Sequence, residues 1–262
     1  MVLTTFRLGA GLLLGLVSMV SVAQAEDKPA TVKLCFENED VFPWILKNGK
    51  GLNLIMVDMI SRKAGIKIEP VGLPWKRCLN ELQSGGMDGA FAASYKDDRA
   101  VFSVYPMKDG KHDPSRRMMM DSYSLFRAKG GGIGWDGSKL NGLSGPIGAQ
   151  PGYSIIDQLK AAGATVDDGG KTADDNLRKV LAGRVAAAAL QTLEGDNSLH
   201  TAEFNGKLEK VSPPLTEKPY YMIFAKPFQA KYPKAVEDLW AAVAAVRESP
   251  DYKGAEKEFF KR

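Results

Sequence analysis

The sequence predicts an α/β protein of two lobes, and three observations carry the prediction. A β-α-β-α-β order is written twice along the chain, between residues 31 and 92 and again between 146 and 190. A strand and an amphipathic helix, from Tyr220 onward, are left over after the second set. At 262 residues the chain is long for one small domain and long enough to bury a sizeable core.

Each element follows from local pattern. Thr31 to Phe36 alternates as a first strand, and Glu37 to Trp44 is the loop at its end. From Gly51, Leu54, Met56 or Val57, Met59 and Ile60 form a helical stripe that Gly65 stops. Ile66 to Val71 is a second strand. A helix opened by Pro74 carries Trp75, Cys78, Leu79 and Leu82 and ends at Gly85-Gly86, the expected placement of proline and glycine. Met87 to Ala92 is a buried third strand. After a glycine-rich stretch, Pro146 to Gln150, Thr165 to Asp167 and Val185 to Leu190 predict strands, with helices over Ser154 to Ala162 and Asp174 to Ala182. Tyr220 to Ala225 is a late strand. The last helix puts Val236, Leu239, Trp240, Val243 and Val246 on one face.

Hydrophobic residues make up 44% of the chain and charged residues 25%, an ordinary globular balance. The first 25 residues differ. Arg7 is their only charge, an apolar run spans Leu8 to Val22, and Ala23-Gln24-Ala25 is a small-x-small cleavage site. This is the layout of a secretory signal peptide. The competing reading, a membrane anchor, asks for an apolar run of about 20 residues. Cleavage after Ala25 predicts a soluble periplasmic chain, expected as a monomer and not embedded in the membrane. The formal charge of +4 falls to +3 with Arg7. That is too weak a field, without a Lys/Arg block, for nucleic acid. Cys35 and Cys78 remain, and an even count in an oxidising compartment predicts a disulfide; two separate buried thiols are the alternative.

Catalytic and cofactor motifs are sparse. His112 and His200 stand apart from any metal-ligand spacing, so no metal is expected, and no G-x-S-x-G elbow is present. Gly132 to Gly137 matches G-x-G-x-x-G, but Gly142, Gly145 and Pro146 break the helix that a dinucleotide site needs; a flexible loop is predicted. No cofactor is expected.

The informative segment runs from residue 73 to 106, LPWKRCLNELQSGGMDGAFAASYKDDRAVFSVYP. Its helix opening, Gly-x-x-Asp turn, buried strand, Ser94, Arg99 and Phe-Ser-x-Tyr run come in the order seen in one family. The chain resembles the bacterial extracellular solute-binding proteins of family 3, periplasmic receptors of polar amino-acid transporters. The resemblance covers the mature chain and is strongest over residues 32–106.

That resemblance implies an α/β, two-lobed periplasmic-binding-protein fold (type II), with lobes joined by two crossing strands near residues 120–128 and 218–224. Residues 26–122 and 223–262 would form lobe 1 and residues 123–222 lobe 2. Arg99 falls on the arginine that grips a ligand carboxylate, which suits a permanently charged, bidentate guanidinium. Ser94 falls on an assisting hydroxyl and Ala92 on a strand-end backbone position. Trp44 and Trp75 are candidates for an aromatic wall, and Arg77 for a further contact. Gly152-Tyr153-Ser154 sits at a helix start in the second lobe, where free N–H groups suit an anion. Where the family has an Asp for the ligand's amino group, this chain has Gln191, which cannot neutralise an ammonium. Glu37 or Glu39 could supply the charge instead, or the ligand lacks an amino group. Lys96 replaces a usual Thr, and the stretch from Arg99 to Phe102 is short.

Other readings of the same residues stand at this point. Arg99 could pair on the surface with Asp97 or Asp98, Trp44 and Trp75 could be core aromatics, and Arg77 could face solvent. The function expected is capture of a small ligand, an amino acid or related carboxylate, by hinge closure, without catalysis, for an ABC permease. Two alternatives are a sensory binding protein without a transporter and a cleft enzyme of lyase type.

Overall fold

The computed structural model describes Met1 and residues 28–261. The leader and its cleavage site lie outside the described residues. No helix among the described residues is long and apolar enough to cross a membrane.

The first half follows the order read from sequence. Strand β1 (Thr31–Glu37) leads through α1 (Leu52–Ala64) to β2 (Lys67–Leu73), and through α2 (Trp75–Ser84) to β3 (Gly89–Ser94). Gly65 and Gly85 end α1 and α2 in the left-handed conformation, with φ of 61° and 82°. The strand β1 pairs in parallel with both β2 and β3. Both cysteines are fully buried and bonded, with Cα atoms 5.6 Å apart, so the disulfide ties β1 to α2.

A one-turn helix, α3 (Asp97–Ala100), and a two-residue strand, β4 (Ser103–Val104), lead to β5 (Met119–Ala128). The second half contains β6 (Ile147–Gly148), α4 (Ile155–Ala161), β7 (Val166–Asp167), α5 (Ala173–Leu181), β8 (Ala187–Gln191), α6 (Thr192–Leu199) and β9 (Leu208–Lys210). A capping box between Thr172 and Asp175 starts α5. The strand β10 (Thr216–Ala225) then returns to the first half, where α7 (Lys226–Lys231), α8 (Pro233–Arg247) and α9 (Pro250–Phe259) close the chain.

One sheet runs through both lobes in the order β7-β6-β8-β5-β10-β3-β1-β2, with β9 beside β5 and β4 beside β10. The two crossing strands are β5 and β10. Residues 119–123 of β5 pair with 216–220 of β10, while its later residues pair with β8 and β9. The later residues of β10 pair with β3. The crossing strands thus belong to both lobes.

Three differences from the sequence reading have physical causes. The third strand lies two residues later than expected, at 89–94, and bends where Phe91 and Ala92 interrupt its register with β10. Ala92 has φ 58°, a left-handed conformation rare outside glycine. The helix α6, TLEGDNSL, carries little apolar periodicity and is not visible as a pattern in the sequence. It packs on β5 because Gly195 has no Cβ; one would sit 2.3 Å from the Phe126 ring. The Gly132–Gly137 segment is not a flexible loop. Gly134–Trp135 and Leu140–Asn141 form a small hairpin, whose turn is held by Asp136 accepting from the amides of Ser138 and Lys139.

Candidate functional site

The lobes meet over a narrow cavity lined by residues of both. Nine of the ten candidate ligand residues line it: Glu37, Trp44, Trp75, Ala92, Ser94, Arg99, Tyr153, Ser154 and Gln191. The first six come from the first lobe and the last three from the second. Arg77 is not among them. Trp75, Cys78 and Leu82 face inward on α2, which turns Arg77 to solvent near Glu81 at 3.6 Å. Glu39 also stays outside and pairs with Lys47 at 2.6 Å.

Arg99 is the centre of the site. Its residue is 3% exposed, although the adjacent Asp97 and Asp98 are exposed. The α3 turn carries the guanidinium back toward β3. There Nη1 donates to the Ser94 carbonyl at 2.9 Å and reaches Ser94 Oγ at 3.4 Å, and Nη2 donates to the Gly152 carbonyl at 2.8 Å. The guanidinium lies 5.4 Å from the centre of the Trp75 ring, within range of a cation–π contact. It forms no ion pair with any described residue. Surface pairing with Asp97 or Asp98 is therefore not what the structure shows; Asp98 pairs with Lys96, and Asp97 accepts from the Tyr95 hydroxyl.

The serines join the lobes. Ser94 Oγ donates to Ser154 Oγ at 2.8 Å. Lys218, on β10, donates to the same Ser154 oxygen at 3.2 Å. Ser154 precedes α4 without capping it through its side chain, so its hydroxyl is left for these contacts. Burial, with Arg99 nearby, holds the Lys218 pKa below the usual lysine value.

Acidic groups gather on the far side. Burial raises the Glu37 pKa, against the hydrogen bonds that it accepts from the amides of Glu39 at 3.2 Å and Trp75 at 3.3 Å. Trp44 turns its indole N–H away from the ligand space and donates to Asp121 at 2.7 Å. Burial pushes Asp121 up to about 7 despite that bond and the Ser122 amide. Glu194, at the start of α6, is pushed up by burial to about 8 while accepting from Gln150. Neither Asp121 nor Glu194 lines the cavity.

Sequence reasoning missed six lining residues: Val41, Ile45, Phe91, Met119, Tyr123 and Tyr220. Met119 and Tyr123 stand on β5 and Tyr220 on β10. Met119 pairs with Tyr220 and alternate residues share a face, so the register of the two strands, which the sequence does not show, brings the three side chains to the cavity. Gln191 Oε1 is buried without a hydrogen-bond partner among the described residues, and the Gln191 side chain lies beside the Tyr220 hydroxyl, which also neighbours Tyr123. No cluster of His, Cys, Asp or Glu suited to a metal occurs among the described residues.

No family model matches the chain, and no curated protein matches it in sequence. Solved structures do resemble it. The glutamate-bound ligand-binding core of GluR0 from Nostoc punctiforme superposes with a TM-score of 0.69 at 13% identity, covering 89% of this chain and 100% of that one. The arginine-, lysine- and histidine-binding protein ArtJ from Geobacillus stearothermophilus gives 0.68 at 18% identity, over 88% and 96%. A histidine kinase sensor domain similar to periplasmic binding proteins gives 0.69 at 16% identity, over 89% and 97%. At these identities the likeness speaks for architecture. The chain has the two-lobed fold of the periplasmic binding proteins, with its cavity between the lobes and its two crossing strands at the hinge.

Proposed function

We propose that this chain is an exported solute-binding protein that captures a small carboxylate, an amino acid or a related acid, by closing its lobes, and presents it to an ABC permease. The leader over residues 1–25 and the Cys35–Cys78 disulfide fit the periplasm. Lobe 1 would comprise residues 26–122 and 223–262, and lobe 2 residues 123–222. The carrying observation is Arg99, a buried guanidinium at the lobe boundary without a carboxylate partner among the described residues. A buried cation is costly unless paired, and a ligand carboxylate would supply the pair while both lobes close around it. The resembling structures support the reading, since ArtJ is an arginine-, lysine- and histidine-binding protein and the GluR0 core holds glutamate. The reading is one of binding without catalysis.

Closure works through population. The ligand favours the closed arrangement by as much as it binds that arrangement better than the open one. Arg99–Gly152 and Ser94–Ser154 are bonds that separation of the lobes would break.

Thermal-shift and calorimetric screening of amino acids, carboxylates without an amino group, and polyamines tests the reading, on the wild type and on Arg99→Ala and Arg99→Lys. Ligand at a hundred times its dissociation constant adds about 2.7 kcal/mol of stability. A carboxylate hit lost in both variants supports the proposal; a hit indifferent to Arg99 overturns it. A second reading, a sensory binding protein without a transporter, is favoured by the likeness to a histidine kinase sensor domain. It keeps the same cavity and changes only the partner that recognises the closed form.

A further inference from the structure

The cavity lining holds a charged donor from the first lobe, Arg99, and an uncharged amide from the second, Gln191. Gln191 ends β8, is 3% exposed, and its Oε1 has no hydrogen-bond partner among the described residues. A primary amide presents one acceptor and two donors, so it matches a hydroxyl or a carbonyl oxygen and cannot neutralise an ammonium. Ser94 and Ser154 add hydroxyls, and most of the remaining wall is apolar or aromatic: Val41, Ile45, Trp44, Trp75, Phe91 and Met119. The phenols of Tyr123, Tyr153 and Tyr220 complete it.

Among the described residues, Glu37 is the only acid lining the cavity. Both its oxygens already accept backbone N–H groups, from Glu39 and Trp75, which fix the loop after β1 to the start of α2. Asp121 and Glu194 lie outside the lining, one behind the Trp44 indole and the other against Gln150. A ligand ammonium would therefore meet an amide oxygen, hydroxyls and ring faces at Gln191, unless it reached Glu37, whose position the two backbone amides fix while each oxygen keeps a second lone pair.

We propose that Gln191 sets the ligand class, selecting an α-hydroxy or α-oxo carboxylate with an apolar side chain over the α-amino acid of the same shape. The inference rests on the carboxylate site proposed for Arg99. The carboxylate would pair with Arg99, the α-oxygen would bond the Gln191 amide, and the side chain would lie against Trp44, Trp75 and Met119. Discrimination of this kind comes from leaving a charge without a counter-charge, which costs more than a lost methylene contact.

Calorimetric titration of the chain with matched hydroxy, oxo and amino acids tests it, each set carrying a methyl, an isobutyl or a benzyl side chain. In the wild type, the hydroxy or oxo member of the bound set is expected to bind at least about tenfold tighter than its amino partner. Gln191→Asp is expected to move that ratio toward the amino acid by a similar factor. Should the aspartate variant not fold, Gln191→Met keeps the length, removes the acceptor and is expected to weaken the hydroxy acid. An amino acid that binds as tightly as its hydroxy analogue in the wild type overturns the inference. If Arg99→Lys weakens that amino acid, the carboxylate site survives; if Glu37→Gln also weakens it, Glu37 is the ammonium partner. No Arg99-dependent binding by any member overturns both proposals.

Discussion

Arg99 Nη2 lies 2.8 Å from the carbonyl oxygen of Gly152, so a buried cation of the first lobe is bonded to the backbone of the second. Gly152 can accept this contact because it holds φ 80° and has no side chain. A Cβ there would approach Lys76 Cγ to 3.0 Å and Trp75 Cδ1 to 3.3 Å. Gly152→Ala is therefore expected to hinder the closed arrangement twice, through a left-handed conformation costing about 1 kcal/mol and through crowding against α2. Ligand affinity should fall about tenfold or more, with a smaller change in the melting temperature of the ligand-free chain. Titration of wild type and variant with the same Arg99-dependent ligand measures this, and an unchanged affinity would show that the lobes need not approach here.

Stability should fall as pH rises from about 4 to about 8. Burial pushes Asp121 up to about 7 and Glu194 up to about 8, whereas an unfolded chain releases these protons near the ordinary carboxylate values. Over that window the folded chain holds protons that the unfolded chain has lost, so each step upward in pH favours unfolding. Asp196 and Glu217 add like charge near Asp121, and Asp121 and Asp174 do so near Glu194. Difference curves isolate the effect from the paired surface acids. Urea midpoints of Asp121→Asn should lose pH dependence up to about 7, and those of Glu194→Gln up to about 8. A wild-type profile parallel to both variants would contradict this.

The parts of the site legible in sequence were those fixed by local order. Ser94 and Arg99 are five residues apart across the end of β3 and a one-turn helix, and that short path returns the guanidinium to the strand end. Arg77 was misplaced because helix phase decides its direction; Trp75 and Cys78, three residues apart, already marked the buried face of α2. Tyr123 and Tyr220 could not be chosen from sequence alone. They stand on crossing strands that bury residues on both faces, and only the pairing of β5 with β10 shows which face meets the cavity. Asp121 was hidden for the same reason, since its partner Trp44 is 77 residues away.

Loss of the Cys35–Cys78 bridge should destabilise the chain by about 4 kcal/mol in the chain-entropy model, given a separation of 43 residues. Both positions are fully buried between β1 and α2. The double variant Cys35→Ala, Cys78→Ala avoids leaving thiols there. Its urea midpoint should drop well below that of the oxidised wild type, while a reducing agent should lower the wild type and leave the variant unmoved. Equal midpoints would mean that the bridge constrains little in the unfolded chain.

Among the described residues, two ion pairs cross the lobes, both with the lysine on the first lobe. Lys76 meets Asp168 at 2.8 Å and Lys96 meets Asp157 at 2.7 Å. Lys76 draws the Asp168 pKa below its ordinary value. Three of the four side chains are about half or more exposed, so each pair contributes only about 0.2–1 kcal/mol. Because separating the lobes would break both, that contribution should show in ligand affinity more than in global stability. Lys76→Glu should weaken an Arg99-dependent ligand by roughly two- to fivefold at low ionic strength, and adding Asp168→Lys should restore most of the loss by reversing the pair. Screening near 0.5 M salt should bring wild type, single and double variants together. If the reversed pair restores nothing at low salt, Lys76 acts through its packing against Gly152, where its Cγ stands 3.0 Å from the position of a Cβ, and charge plays no part in closure at this pair.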